Sequence, residues 1–198
     1  MWEKTDPIKL PTSFGDFQMT VYRDINTGEE YSAIYKGTWT KNESVLLRLH
    51  SSCLTGDIFG SERCDCGPQL HETMRLIEKM GKGVVIYLPH EGRGIGLFNK
   101  IRAYKLQENG FDTVQANLEL GFDEDLREFD FAGLILADMD ITSVKVMTNN
   151  PFKVDELKML GVKVSERVDI SIQPNKHNKN YLETKRVKMN HHLNEQLV

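Results

Sequence analysis

Val84-Val85-Ile86-Tyr87-Leu88-Pro89-His90-Glu91-Gly92-Arg93-Gly94-Ile95-Gly96 is the stretch on which the fold class turns. Its first five residues form a short unbroken apolar run, the pattern of a buried strand. The glycine-rich segment Glu91–Gly96 follows, and a helix pattern opens after it, running to about Asn109 with Gly110 as its stop. Upstream, Leu70, Met74, Ile77 and Met80 recur three to four apart as one helix stripe, ended by Gly81-Lys82-Gly83. Downstream, Phe131 to Met139 has helical spacing and Val144 to Met147 reads as a strand. Val154 to Leu160 reads as a helix stopped by Gly161, and Val162 to Ser165 as a last strand. This alternation from Gln69 to Asp169 predicts α/β crossovers in one sheet. Before it, Phe17–Tyr22, Tyr31–Tyr35 and Ser44–His50 are strand candidates after a turn-rich lead-in, Lys9 to Asp16. The expected architecture is α/β: a mixed sheet with flanking helices and a β-rich N-terminal layer, in one domain over residues 1–198. Residues from about 170 to 198 read as a polar tail, with a short helix from Tyr181.

Composition narrows the function classes. With 39% apolar and 27% charged residues the chain is an ordinary globular protein rather than a disordered one. No run approaches eighteen apolar residues, so no membrane helix is expected. A net charge of −4 supplies no general drive towards nucleic acid. The segment Lys176 to Lys188 is locally basic, which composition alone reads as a solvated tail. The start, Met1-Trp-Glu-Lys-Thr-Asp6, lacks the basic-then-apolar pattern of a signal peptide, and the cysteine count is odd. Reduced thiols and a cytoplasmic location are therefore expected.

All three cysteines, Cys53, Cys64 and Cys66, fall within fourteen residues. Such clustering favours a metal over three unrelated packed thiols. Three thiolates leave a fourth position open, as in a catalytic zinc site. His50, three residues before Cys53, is a possible fourth ligand that would close the site, so spacing leaves catalytic and structural zinc both open. Glu91–Gly96, between strand and helix, is either a tight turn or an anion site made of backbone amides, and Arg93 favours phosphate. It matches neither a P-loop nor the dinucleotide fingerprint. A second strand-to-helix junction follows Thr148, where Asn150 is a plausible N-cap with Pro151 at the first helical position. Lys153 in that first turn is unfavourable for the helix dipole unless an anion is bound. Asp125 and Arg127 read on their own as a solvated pair of little energetic value. Tyr104, at helical spacing from Ile101, reads as a core residue.

Arg48-Leu-His-Ser, Cys53-Leu-Thr-Gly-Asp, Arg63-Cys-Asp-Cys-Gly67, Glu91-Gly-Arg-Gly-Ile-Gly-Leu97, Asn99-Lys-Ile-Arg-Ala-Tyr104, Thr148-Asn-Asn-Pro151 and Tyr181-Leu-Glu-Thr-Lys185 stand here in order. With them the chain resembles the GTP cyclohydrolase II family over nearly its whole length. The resemblance implies hydrolytic opening of the guanine imidazole ring of GTP, with release of formate and pyrophosphate, at the start of riboflavin synthesis. It implies zinc on Cys53, Cys64 and Cys66 with water in the fourth position, the water's pKa brought to ~7 for attack at C8. It places Tyr104 near the base, Asp125 as proton acceptor, and Arg127 as nucleophile towards the α-phosphate. A guanidinium is essentially always protonated, so stabilising phosphate charge accounts for Arg127 equally well. The nucleotide contacts implied are Arg48, Leu49, His50, Ser51, Ser52, Gln69, Glu91, Gly92, Arg93, Thr113, Thr148 and Lys153, with Mg2+ on the triphosphate. A homodimer is implied too, without nucleic-acid or membrane partners, and a single activity, since no dihydroxybutanone phosphate synthase domain is fused. Two positions depart from the family pattern: Ser52 stands where Glu is usual, and His90 where Gln is usual. Retention of Tyr104 argues against a variant that keeps the formyl group. A nucleotide-binding protein with structural zinc is the reading that His50 as fourth ligand would support.

Overall fold

The computed structural model describes residues 1–123 and 125–192. The chain divides into two compact units, each built from separated segments. Unit 1 joins Met1–His50, Leu70–Pro89 and Phe129–Ile170, and unit 2 joins Ser51–Gln69, His90–Glu128 and the chain from Ser171.

Unit 1 carries an eight-stranded sheet. Its strands are β1 (Trp2–Lys4), β2 (Ile8–Thr12), β3 (Gly15–Asp24), β4 (Glu30–Lys36), β5 (Ser44–Ser51), β6 (Gly83–Leu88), β7 (Ser143–Met147) and β8 (Lys163–Val168). They lie in the order β1-β3-β4-β6-β5-β7-β8, with β2 also against β3. β3 runs antiparallel to β1, β2 and β4, and β4 antiparallel to β6, while β7 is parallel to both β5 and β8. The sheet is mixed, as the alternation predicts, because short turns join the early strands and helical crossovers the late ones.

Six α-helices are described: α1 (Cys66–Met80), α2 (Gly96–Glu108), α3 (Thr113–Glu119), α4 (Asp130–Asp138), α5 (Pro151–Met159) and α6 (Lys179–Lys188). Side chains alternate across a strand, so β6 sends Val84, Ile86 and Leu88 to one face and Val85 to the other. The first face, with Val45, Leu47 and Leu49 of β5, packs on Ile135 and Leu136 of α4 and Leu157 of α5. The second packs on Met74 and Ile77 of α1 with Leu70 partly buried, whereas Met80, the last residue of the stripe read from the sequence, is exposed at the helix end. Each such side chain stabilises the fold by about 1.5–3 kcal/mol.

Three elements were not legible as such. Lys9 to Asp16, read as a turn-rich lead-in, holds all but the first residue of β2 and the start of β3, with Pro11 opposite Asp16. Proline is tolerated there because β2 pairs on one side alone, with β3. β1 is too short to alternate, and α3 is a seven-residue helix specified by its cap rather than by an apolar stripe. The basic segment after Lys176 carries α6, with Leu182 buried. No helix among the described residues is long and apolar enough to cross a membrane.

Candidate active site

The cysteine stretch is the core of unit 2. A π turn at Leu54–Ile58 folds the chain back after Cys53, and Cys66 begins α1. This brings the three sulfurs within 4.8 Å of one another, with Cys53 and Cys64 3.7 Å apart. Gly56 lies against them: a Cβ there would sit 2.9 Å from the Cys64 sulfur and 3.1 Å from that of Cys53. A side chain at this position would therefore press on two of the sulfurs. A compact all-thiol donor set suits a soft divalent cation, and zinc fits it. Among the described residues the metal-capable group consists of these three thiols. His50, the possible fourth ligand, belongs to unit 1, where its ring stacks on Tyr87 at a centroid distance of 5.4 Å.

A buried cation flanks the thiols. Lys100 of α2 donates to the Cys53 sulfur at 3.1 Å, to the Thr55 hydroxyl at 3.0 Å and to Glu91 at 2.6 Å. The other Glu91 oxygen accepts from the Leu54 amide at 2.7 Å, and Asp57 accepts from the Cys53 amide at 3.0 Å. The backbone on both sides of the Cys53 Cα is thereby held by carboxylates. Hydrogen bonds from Cys64 and Cys66, together with Lys100, hold the Cys53 thiol far below the usual thiol range. The Cys64 thiol, bonded to an already ionised neighbour, is pushed up to about 11. Burial by itself would favour loss of the Lys100 proton, but Glu91, Tyr104 and Cys53 keep that lysine charged. Tyr104, one turn along α2, has the Arg63 guanidinium 4.8 Å from its ring centre. Burial raises its phenol above the ordinary value.

The glycine-rich segment is a short 3-10 turn in which Gly92 and Arg93 both adopt positive φ. Glycine takes that conformation freely, whereas for Arg93 it is strained. Two of its amides are engaged internally: Gly92 donates to the Glu91 carboxylate at 3.2 Å and Arg93 to the His90 carbonyl at 3.1 Å. The Arg93 carbonyl accepts from the Leu126 amide at 3.1 Å, which ties Asp125–Arg127 to this turn. The Asp125–Arg127 pair is not the solvated pair that its sequence spacing suggests. Its side chains are 8% exposed for Arg127 and 19% for Asp125. Arg127 grips the carboxylate through Nε, at 2.7 Å, and through Nη2, and its Nη1 donates to the Ser51 hydroxyl at 3.2 Å. Burial would raise the Asp125 carboxyl, but Arg127 outweighs it and leaves the acid below its ordinary range. Thr113 opens α3, which Asp112 caps, accepting from the Val114 and Gln115 amides. The side chain of Gln69 donates to Asp65, between two of the cysteines, at 2.6 Å.

The remaining predicted residues lie in unit 1. Arg48 is buried and donates to the Met147 carbonyl at 2.8 Å. Asn150 caps α5 by accepting from the Phe152 amide, with Pro151 next, as the sequence indicates. The Thr148 hydroxyl accepts from the Asn150 amide at 3.1 Å. Lys153, in the first turn of α5, is 5% exposed and donates to the Leu49 carbonyl at 2.8 Å, with the Phe129 ring 5.8 Å away. Ser52 is half-buried and His90 buried. Lys100, Gly56 and Asp57 were missed as site residues. Lys100 shares its helix with Arg102 and Lys105, and no local pattern marks it as the cation turned inward.

Comparison with known proteins agrees with this chemistry. The family profile described as GTP cyclohydrolase II matches residues 3–169. The riboflavin biosynthesis protein RibBA of Cytophaga hutchinsonii is 54% identical over 184 residues, covering 93% of this chain and 45% of that protein. RibBA of Aquifex aeolicus is 51% identical, covering 96% of this chain and 47% of its own. The chain thus spans about half the length of the curated relatives it matches. A two-domain 3,4-dihydroxy-2-butanone 4-phosphate synthase of A. baumannii, RibBX, aligns over 84% of this chain and 40% of its own. Its TM-score of 0.45 and 16% identity are too low to decide the fold.

Proposed function

The chain belongs to the GTP cyclohydrolase II family, in riboflavin biosynthesis, and on that premise we propose that it hydrolyses GTP. The products are formate, pyrophosphate and 2,5-diamino-6-(5-phosphoribosylamino)pyrimidin-4(3H)-one, and the reaction begins riboflavin synthesis. The observation that carries this reading is the convergence of Cys53, Cys64 and Cys66 beside a buried Lys100 and Tyr104. Zinc held by Cys53, Cys64 and Cys66 would supply a Lewis acid able to lower the pKa of water to ~7.

The chain's own residues do the rest. Lys100 offsets the negative charge of the thiolates and fixes the Cys53 sulfur. Tyr104 keeps its phenol proton at neutral pH and can donate it to the base as the ring opens. Asp125, ionised at neutral pH, is the proton acceptor. Arg127 is oriented by Asp125, and a gripped guanidinium favours stabilising charge on the α-phosphate over acting as a nucleophile. The nucleotide contacts proposed are Arg48 to Ser52, Gln69, Glu91 to Arg93, Thr113, Thr148 and Lys153, with Mg2+ on the triphosphate. A homodimer in the cytoplasm completes the reading.

Reduced, zinc-loaded protein is incubated with GTP and Mg2+, and the product masses, formate and pyrophosphate are measured. Release of both, with the deformylated diaminopyrimidinone, is expected. Absence of formate and pyrophosphate sinks the proposal, and a product that keeps its formyl group restricts the reaction to the first hydrolysis.

A further inference from the structure

The Cys64-Asp65-Cys66 turn contains a charge that the chemistry above does not use. Asp65 stands between two of the proposed metal ligands and is 2% exposed. Its two carboxylate oxygens are divided between two donors. Oδ2 accepts from the Gln69 side chain at 2.6 Å, and Oδ1 accepts from the Lys185 ammonium at 2.8 Å. Lys185 comes from α6, 120 residues further along the chain, and its side chain is 12% exposed. The Tyr181 ring lies 4.5 Å from the same ammonium. Breaking a buried ion pair from one side is strongly unfavourable, so the Lys185 contact couples α6 to this turn. Lys188 of α6 pairs with Asp112, and Asn175, ahead of the helix, donates to the Glu62 carbonyl at 3.3 Å. Both contacts seat the helix within unit 2 without touching Asp65.

We propose that Lys185 is a positioning residue for the metal centre: by pairing with buried Asp65, α6 fixes the turn that presents the Cys64 and Cys66 sulfurs. One peptide unit separates Asp65 from each of these cysteines, so a displaced carboxylate turns both sulfurs away from Cys53. Groups that orient metal ligands from outside the ligand set commonly govern affinity by about 10–100-fold. The inference rests on the proposed metal site and extends it to the C-terminal helix.

The test is zinc affinity, measured by competition with a chromophoric chelator on reduced full-length protein, with thermal unfolding followed in parallel. K185M is expected to weaken zinc binding by about 10-fold or more. K188M, which loosens the same helix away from Asp65, is expected to stay within about twofold of the unsubstituted protein. D65N breaks the same pair from the other side and is expected to weaken zinc similarly. The double variant D65N/K185M removes both partners of the pair and recovers part of the loss, a coupling that independent structural damage lacks. If K185M does not fold, D65N and the double variant carry the same comparison. Equal zinc affinity in K185M or D65N and in the unsubstituted protein overturns the inference alone, and so does an equal loss in K188M. Failure of the unsubstituted protein to take up zinc overturns the metal reading and this inference together.

Discussion

At the scale of single residues, the site depends on steric vacancy as much as on ligands. Gly56 is the clearest case, since any side chain would crowd the sulfurs of Cys53 and Cys64. Its φ is not in the left-handed region, so G56A meets no backbone obstacle and tests packing against the thiols alone. G56A is expected to fold and to bind zinc at least about 10-fold more weakly in chelator competition, the scale of effects around a ligand set. Unchanged affinity would mean that the thiols have room to move aside. Arg127 separates two chemistries. If it stabilises phosphate charge, R127A lowers kcat for pyrophosphate release by ~10²–10³-fold, and R127K, which keeps the charge but loses the fork, falls between. If it is the nucleophile, both variants are equally inactive. The comparison requires only pyrophosphate release rates at saturating GTP.

At the scale of elements, caps specify what apolar periodicity does not. Asp112 caps α3 in a reciprocal box with Gln115 and also receives Lys188 of α6. D112A is expected to destabilise the protein by about 1 kcal/mol, read from denaturant midpoints. Burial would raise the Asp112 carboxyl, but Lys188 and the two backbone amides outweigh it, leaving the carboxyl below its ordinary range. The folded pKa therefore lies below the unfolded ~3.9, so this stabilisation is complete above that pH and is lost as pH falls through the folded value. In D112A the difference in stability from the unsubstituted protein should accordingly shrink as pH is lowered below about 4. A difference that grows with acidification contradicts the assignment. The Asn150 cap and Pro151 of α5 were readable directly, because capping is a property of adjacent residues. α3 was not, since its apolar residues Val114, Ala116 and Leu118 are spaced two apart and make no helical stripe to count.

At the scale of the molecule, the two units are held by different means. Unit 1 has a sheet packed on both faces, and its ladders need no metal. The described part of unit 2 is almost wholly helix and turn, gathered around the three thiols and their buried partners. Removing the metal with a chelator under reducing conditions should speed amide exchange across residues 51–69 while β4 and β6 stay protected. Uniform exchange throughout, or none, would contradict that division. Identity near 50% along almost all of the chain places the family beyond chance, although the chain covers only about half of those relatives.

What the sequence determined by itself was local. The apolar run Val84–Leu88, the helix stripe of α1, the Asn150–Pro151 cap and the clustering of three cysteines each follow from residues within one or two turns of one another. The motifs were also enough to identify the family. Only the tertiary structure decided which polar groups face inward. Asp125 and Arg127 are part-buried rather than solvated, Lys153 turns in to the Leu49 carbonyl, and Lys100 lies on the Cys53 sulfur. Lys185 reaches Asp65 across 120 residues of chain. Charge carries no period along a sequence, so its partners are fixed only when the topology brings distant elements together and burial leaves each ion one place to be neutralised.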